Sequence, residues 1–200
     1  MKTLKQITFD IEKALTQEMI NLRTVDFFCD KFTPNEVVDK FDQNAFFSTL
    51  RVEGELIGIE RIMDTSIVSV FKEWSKGKDI TPKGNNCYEI SRAVIKREWQ
   101  NHGLYHVLTI LTLRYLKEIN AKTINCVLET KSNLHKFVQN LGAIKCGSPY
   151  TCYDYPFPPN ESQAYTLNLA DKEYPYLYQN ENDRIIKVIT KRNYQIISKV

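Results

Sequence analysis

The stretch from residue 87 to residue 119 constrains this chain more than any other. Residues 87–95 read Cys87-Tyr88-Glu89-Ile90-Ser91-Arg92-Ala93-Val94-Ile95. This is the composition of a buried strand, yet it carries two charges, Glu89 and Arg92. Residues 100–105, Gln100-Asn101-His102-Gly103-Leu104-Tyr105, form a short polar loop with one glycine. The loop runs into an apolar helix expected over about 103–119. There Leu104, Val107, Leu108, Leu111 and Tyr115 share a face, and Leu113, Leu116 and Ile119 widen it. A strand, then a loop of backbone donors, then a helix N-terminus holds a phosphate well, because free N–H groups and the helix dipole converge there. A carboxylate beside such a site can move a proton.

Around this centre the pattern alternates between strands and helices. The first 45 residues read as helical, with irregular helix-like spacing through Phe9, Ala14, Met19, Leu22, Val25 and Phe28–Cys29. Thr33-Pro34-Asn35-Glu36 has the form of an N-cap followed by Pro at the first helical position. Residues 46–52 and 56–63 read as two strands of a hairpin turned at Glu53-Gly54, and 66–71 as a short apolar stretch. Residues 76–86 read as loop. Strands are expected at 122–128, 143–147 and 163–169, with a short helix over about 132–141 that ends at Gly142. Residues 153–159 are a proline-rich loop, and 184–199 fit a strand or a helix equally. Strand–helix–strand units behind an antiparallel front half indicate an α/β (α+β) fold, a central mixed and mostly antiparallel sheet flanked by helices.

Length and composition set the remaining bounds. Two hundred residues, 42% hydrophobic and 26% charged, suit one domain with a real core. No apolar run is long enough to cross a bilayer, so the chain is not expected to be transmembrane. The N-terminus lacks the apolar stretch of a signal peptide, which makes the cytoplasm the default. The five cysteines are scattered without zinc-ligand spacing, and Cys87 and Cys126 fall inside strand-like runs as buried thiols. No metal is implied: His102, His106 and His135 do not form a ligand set. Residues 1–60 hold seven Lys/Arg against eleven Asp/Glu, a charge of −4, which leaves +7 of the total +3 on the remainder. Residues 184–200 form a basic C-terminal element, with five basic residues and no acidic one. It is either a solvated face or a docking surface for an acidic partner. Basic–aromatic interleaving of a nucleic-acid module is absent.

The element order, with the Gln100–Tyr105 loop after the central strand, resembles the GNAT superfamily of N-acetyltransferases. In that fold the loop caps the following helix, and its amides hold the phosphates of coenzyme A or phosphopantetheine. Tyr105 stands where the family usually has a small residue. A second set of residues narrows the likeness. Arg23, Phe27 and Phe28, Asp39 and Asp42, Arg61, then Glu89-Ile90-Ser91-Arg92, resemble in order and spacing the acyl-homoserine-lactone (autoinducer) synthases and the related N-acyl amino acid synthases, over about residues 20–150. The resemblance implies a single domain over 1–200 with a helical lid over 1–45. It also implies an N-acyltransferase that takes a fatty acyl group from acyl carrier protein or acyl-coenzyme A and passes it to a small amine. No permanently bound cofactor is implied. The tryptophan that autoinducer synthases carry a few residues after the Phe27/Phe28 position is absent, and the segment reads Asp30-Lys31-Phe32-Thr33-Pro34. The acceptor is therefore open between an amino acid and S-adenosylmethionine.

Each candidate residue has a chemical reason. Amide formation from a thioester needs a neutral amine, so a base is useful, and Glu89 is the candidate because an apolar strand raises a carboxyl's pKa. A structural ion pair with an arginine is the competing role. Arg92 lies three residues on, which in a regular strand is the opposite face, so the two share a face only across a bulge. Arg92 then binds the acyl carbonyl region or a substrate carboxylate. Asp39 and Asp42 either bind an ammonium or form a network with Arg23 and Arg61, and Arg23 can grip a carboxylate with two parallel bonds. Phe27 and Phe28 read as packing or as part of the substrate pocket. A short-chain acetyltransferase and a non-catalytic binding module are the alternatives to fatty-acyl transfer.

Overall fold

A computed structural model describes residues 4–27, 31–154 and 158–198. In chain order the elements begin with β1 (Lys5–Glu12), α1 (Gln17–Leu22), β2 (Ala45–Val52), β3 (Glu55–Asp64) and α2 (Val70–Trp74). They continue with β4 (Cys87–Ile95), α3 (Leu104–Glu118), β5 (Thr123–Glu129), α4 (His135–Asn140), β6 (Ile144–Cys152), β7 (Asn160–Asn168), α5 (Tyr174–Lys191) and β8 (Tyr194–Ser198). The strands make a mixed, mostly antiparallel sheet flanked by helices, as the pattern predicts.

Two compact units share the chain, and the boundaries between them fall within β3, β4, α3 and α5. The first comprises Met1–Ile62, Arg92–Leu116 and Asn182–Val200. Here β1 pairs antiparallel with β2, Phe9 facing Leu50, and parallel with β8, Ile7 facing Ile196. Ile7, Phe9, Phe47, Leu50, Ile57 and Leu108 are its buried apolar centre. Helix α3 is buried nearly all round: besides Leu104, Val107, Leu108, Leu111, Leu113 and Leu116, the hydroxyls of Thr109 and Thr112 are inside.

The second unit comprises Met63–Ser91 and Lys117–Glu181. Its strands run in the order β6-β7-β5-β4, antiparallel except for β5 against β4, where Glu89 faces Asn125. Val70, Phe71, Phe137, Leu141, Ala164 and Tyr165 are buried here. Gly142 ends α4 at φ 91°, the left-handed conformation expected of a C′ glycine.

Several expectations are corrected or resolved. The first 45 residues are not uniformly helical: residues 5–12 form a strand. Ile7, Phe9 and Ile11 alternate with polar residues at period two, and pairing with β2 and β8 decides the outcome. The Thr33–Glu36 signature does not open a helix. Glu36 accepts bonds from the Thr33 N–H and hydroxyl at 2.8 Å, as in a capping box, but only a turn follows. The ambiguous C-terminal stretch is both things in succession, the end of α5 and then β8. Of the two cysteines expected to be buried, Cys87 is, while Cys126 is half-buried.

Candidate functional site

Five of the candidate residues come together in the first unit. α1 is capped by Thr16 and passes into a π-helical turn at Arg23–Phe27, a widened turn that places Arg23 inside. Arg23 donates to Asp42 Oδ2 at 2.8 Å. Arg61, on β3, donates to Asp39 Oδ2 at 2.7 Å and to Asp42 Oδ1 at 3.2 Å. Arg92 joins from β4, with Nη2 3.1 Å from Asp39 Oδ2. Asp39 and Asp42 sit in the loop leading to β2, and the Asp39 N–H donates to Asp42 Oδ2 at 3.0 Å. Three guanidiniums thus enclose two carboxylates, a net positive cluster. Burial alone would push the Asp42 carboxyl up, but Arg23 and Arg61 overcome it and hold Asp42 below its ordinary range.

Arg23 is the most telling member. Its side chain is fully buried, and its guanidinium lies over the Phe47 ring at 5.3 Å. Nη1 is taken by Asp42, while Nε and Nη2 have no hydrogen-bond partner among the described residues. Those two N–H groups form the flat edge that matches a carboxylate. Buried donors without partners cost about 1–3 kcal/mol each.

Arg92 has φ 50° inside a strand. A non-glycine residue in the left-handed region breaks the two-residue alternation, as a bulge does. The sequence required such a break for Glu89 and Arg92 to share a face. Phe27 is half-buried in the π-helical turn. Phe28 lies outside the described residues.

Glu89 bonds to another set, in the second unit. Its carboxylate accepts from four donors: the Ser69 hydroxyl at 2.6 Å, the Val70 N–H at 2.7 Å, the Phe71 N–H at 3.3 Å and the Lys83 ammonium at 3.2 Å. Ser69 is the N-cap of α2, so Glu89 satisfies the orphan amides of that helix. The apolar surroundings expected for Glu89 are thus replaced by a polar cradle, and its ion-pair partner is a lysine rather than an arginine. Sequence reasoning missed Ser69 and Lys83. Ser69 ahead of Val70-Phe71-Lys72-Glu73 is an N-cap signal, whereas Lys83 sits in a Pro82-Lys83-Gly84 turn and gives none.

The expected phosphate loop connects β4 to α3. Gln100 donates to the Ile95 carbonyl at 2.9 Å, and the Asn101 carbonyl accepts from Arg192 at 3.0 Å. His102 Nδ1 meets the Tyr194 hydroxyl at 3.1 Å. Burial, then the charges of Arg192 and Lys5, push the His102 imidazole down. Asn101 and Gly103 have φ 60° and 79°, and the Gly103 carbonyl starts the helical bonding by accepting from Val107. Leu104 is buried and Tyr105 half-buried. The basic C-terminal element therefore contacts this loop through Arg192 and Tyr194.

A third group was not anticipated. Glu60, on β3, is fully buried and accepts from the Thr109 hydroxyl of α3 at 3.1 Å. Beside it the Thr112 hydroxyl donates to Ser48 Oγ at 2.8 Å. Burial pushes the Glu60 carboxyl up to about 7, against the pull of the Thr112 and Thr109 hydroxyls. Among the described residues no group of His, Cys, Asp and Glu is arranged to hold a metal ion, and no helix is long and apolar enough to cross a membrane.

No protein-family model matches the chain, and no curated protein matches it by sequence. Solved structures do match. The CoA-dependent acyl-homoserine lactone synthase BjaI, determined with SAM and isopentyl-CoA, superposes with a TM-score of 0.66 at 14% identity, covering 96% of this chain and 93% of that one. The acyl-homoserine lactone synthase LasI gives 0.64 at 18% identity over 89% and 96%. A Bacillus subtilis acetyltransferase in complex with CoA gives 0.54 at 15% identity over 82% and 99%. The chain shares its overall fold with these acyl-homoserine lactone synthases and acetyltransferases.

Proposed function

We propose that this protein is an N-acyltransferase that moves a fatty acyl group from a phosphopantetheine thioester, coenzyme A or acyl carrier protein, to the amine of an amino-acid-type acceptor. The observation that carries this reading is the Arg23 guanidinium, held by Asp42 on one side and presenting a buried, unpaired Nε–Nη2 edge on the other. An acceptor carboxylate matches that edge with two parallel bonds. Arg61, Asp39 and Arg92 fix the surrounding charges, so the cluster is preorganised. The likeness in fold to synthases and acetyltransferases whose structures hold coenzyme A or its thioesters supports the donor class.

In this reading the amine approaches the thioester carbonyl, Glu89 takes the proton through a water molecule, and the carbonyl carbon forms the amide as the thiolate leaves. The amides of the loop from Gln100 to Tyr105 and the N-terminus of α3 receive the donor's phosphates. Mass spectrometry of products tests the assignment. The purified protein is incubated with acetyl- and octanoyl-coenzyme A, octanoyl-acyl carrier protein, a mixture of amino acids and S-adenosylmethionine. N-octanoyl amino acids are the expected products. Products confined to acetyl transfer would assign a short-chain acetyltransferase instead, and no product from any donor would leave the fold without this activity.

A further inference from the structure

Glu89 does not stand alone in the second unit. Lys83 Nζ lies 3.2 Å from Glu89 Oε1 and 2.5 Å from Asp79 Oδ2, so one ammonium bridges two carboxylates. Both carboxylate side chains are fully buried, whereas that of Lys83 is 25% exposed. Asp79 is further held by the Thr81 hydroxyl at 2.8 Å and the Tyr150 hydroxyl at 3.3 Å, and its N–H donates to Ser75 at 2.8 Å. Lys83 also contacts the Thr81 hydroxyl. The cluster thus holds two negative charges and one positive, one net negative charge in a buried site.

Charge counting gives this arrangement a meaning. The Lys83 ammonium is the cation that the two buried carboxylates share. Asp79 gathers the hydroxyls of Thr81 and Tyr150, and Lys83 bridges it to Glu89. Three of the four Glu89 donors are fixed by α2 and its cap. Oε1 is held by the Ser69 hydroxyl at 2.6 Å and by Lys83 at 3.2 Å, and Lys83, on a long side chain in a loop, is the one donor that comes from outside α2 and its cap.

We propose that Lys83 is a positioning residue for Glu89: it neutralises Asp79 and orients Glu89 so that one carboxylate, and not a pair, accepts the proton of the acceptor amine. This rests on the acyl-transfer reading above. The test measures thiol release from octanoyl-coenzyme A and from octanoyl-acyl carrier protein in the presence of the amino-acid mixture and S-adenosylmethionine. Lys83→Met is expected to lower kcat at least about tenfold, with the KM for the octanoyl donor within about twofold. Lys83→Arg keeps the cation and should retain kcat within about threefold. The decisive variant removes both the cation and the second carboxylate. Asp79→Asn with Lys83→Met leaves Glu89 as the lone anion, and kcat should recover to within about threefold of the unaltered enzyme.

A merely structural lysine predicts no such recovery, because the double variant loses more bonds than the single one. Wild-type kcat in Lys83→Met, or a double variant that folds and is as slow as the single one, overturns the assignment while leaving acyl transfer intact. Should Lys83→Met not fold, the double variant, which keeps the cluster's net charge, and Lys83→Arg carry the comparison by the same criteria. Absence of thiol release by the unaltered protein from either donor overturns the acyl-transfer reading and this inference with it.

Discussion

Glu89 and Glu60 are both fully buried carboxyls, and their surroundings give them opposite duties. Glu89 receives four donors, one of them cationic. Exchanging Glu89 for Gln keeps the shape, removes the charge and sets an NH2 group against donors. The acyl-transfer rate is expected to fall at least about a hundredfold, and a rate equal to the unaltered enzyme's would remove Glu89 from proton transfer. Glu60 receives hydroxyls alone, and burial raises it to about 7 from an ordinary value of 4.5. A carboxyl raised on folding contributes stability that is complete below about pH 4.5 and is lost as the pH climbs through about 7. The loss amounts to about 3 kcal/mol for a fully buried group. Urea unfolding of the unaltered protein and of Glu60→Gln, measured from pH 4.5 to pH 8, should diverge across that window, with the variant's curve the flatter. Parallel curves would mean that Glu60 titrates in the folded state as it does in the unfolded one.

At the level of elements, close approach of strands and helices sets what the chain tolerates. Gly58 lies in β3, where an added Cβ would stand 2.5 Å from Ile95 Cδ1 of β4, 3.3 Å from the Val94 carbonyl and 3.6 Å from Leu108 of α3. Ile95 can give way at its tip, but the Val94 carbonyl is backbone. Gly58→Ala should therefore destabilise by about 1–3 kcal/mol, read as a drop in the denaturation midpoint without a change in slope. An unchanged midpoint would show that Ile95 repacks freely. The elements that were legible in the sequence are those whose signal is local. β2, β3, β4, α3, β5 and α4 announce themselves by period, a Glu53-Gly54 turn and a C′ glycine at Gly142. β1 and β8 were obscure because each is a short, polar-flanked strand completed by the other from the far end of the chain, Lys5 against Tyr194. A network of Asp39 and Asp42 with Arg23 and Arg61 was one of two readings of those charges, whereas the place of Arg92 beside Asp39 was not legible, because it depends on the pairing of distant segments. The Asp79–Lys83–Glu89 bridge was not legible either, because Asp79 and Lys83 lie in a loop whose residue types carry no period.

Across the whole molecule the uneven charge gives the two donor forms different physics. Residues 1–60 carry −4 and the remainder +7. Lys5, His102 and Arg192 also cluster around the loop between β4 and α3, where the two cations both push the His102 imidazole down. An acidic carrier protein docking over a basic surface is steered by fields that salt screens within about 10 Å at 0.1 M. In the proposed reaction a thioester arm held at short range by the backbone amides of the Gln100–Tyr105 loop would be screened far less. Raising the ionic strength from about 0.02 M to about 0.3 M should therefore raise the KM for octanoyl-acyl carrier protein at least about tenfold and leave kcat within about twofold. Octanoyl-coenzyme A, which presents only its own phosphates, should show a shallower rise. Exchanging Arg184 and Lys187 of α5 for Gln separates the surface from the site. If α5 belongs to the docking face, that pair flattens the salt dependence for the carrier protein alone. If the two donors keep identical salt slopes in both proteins, the basic half serves the phosphates of the thioester arm and no carrier surface exists there.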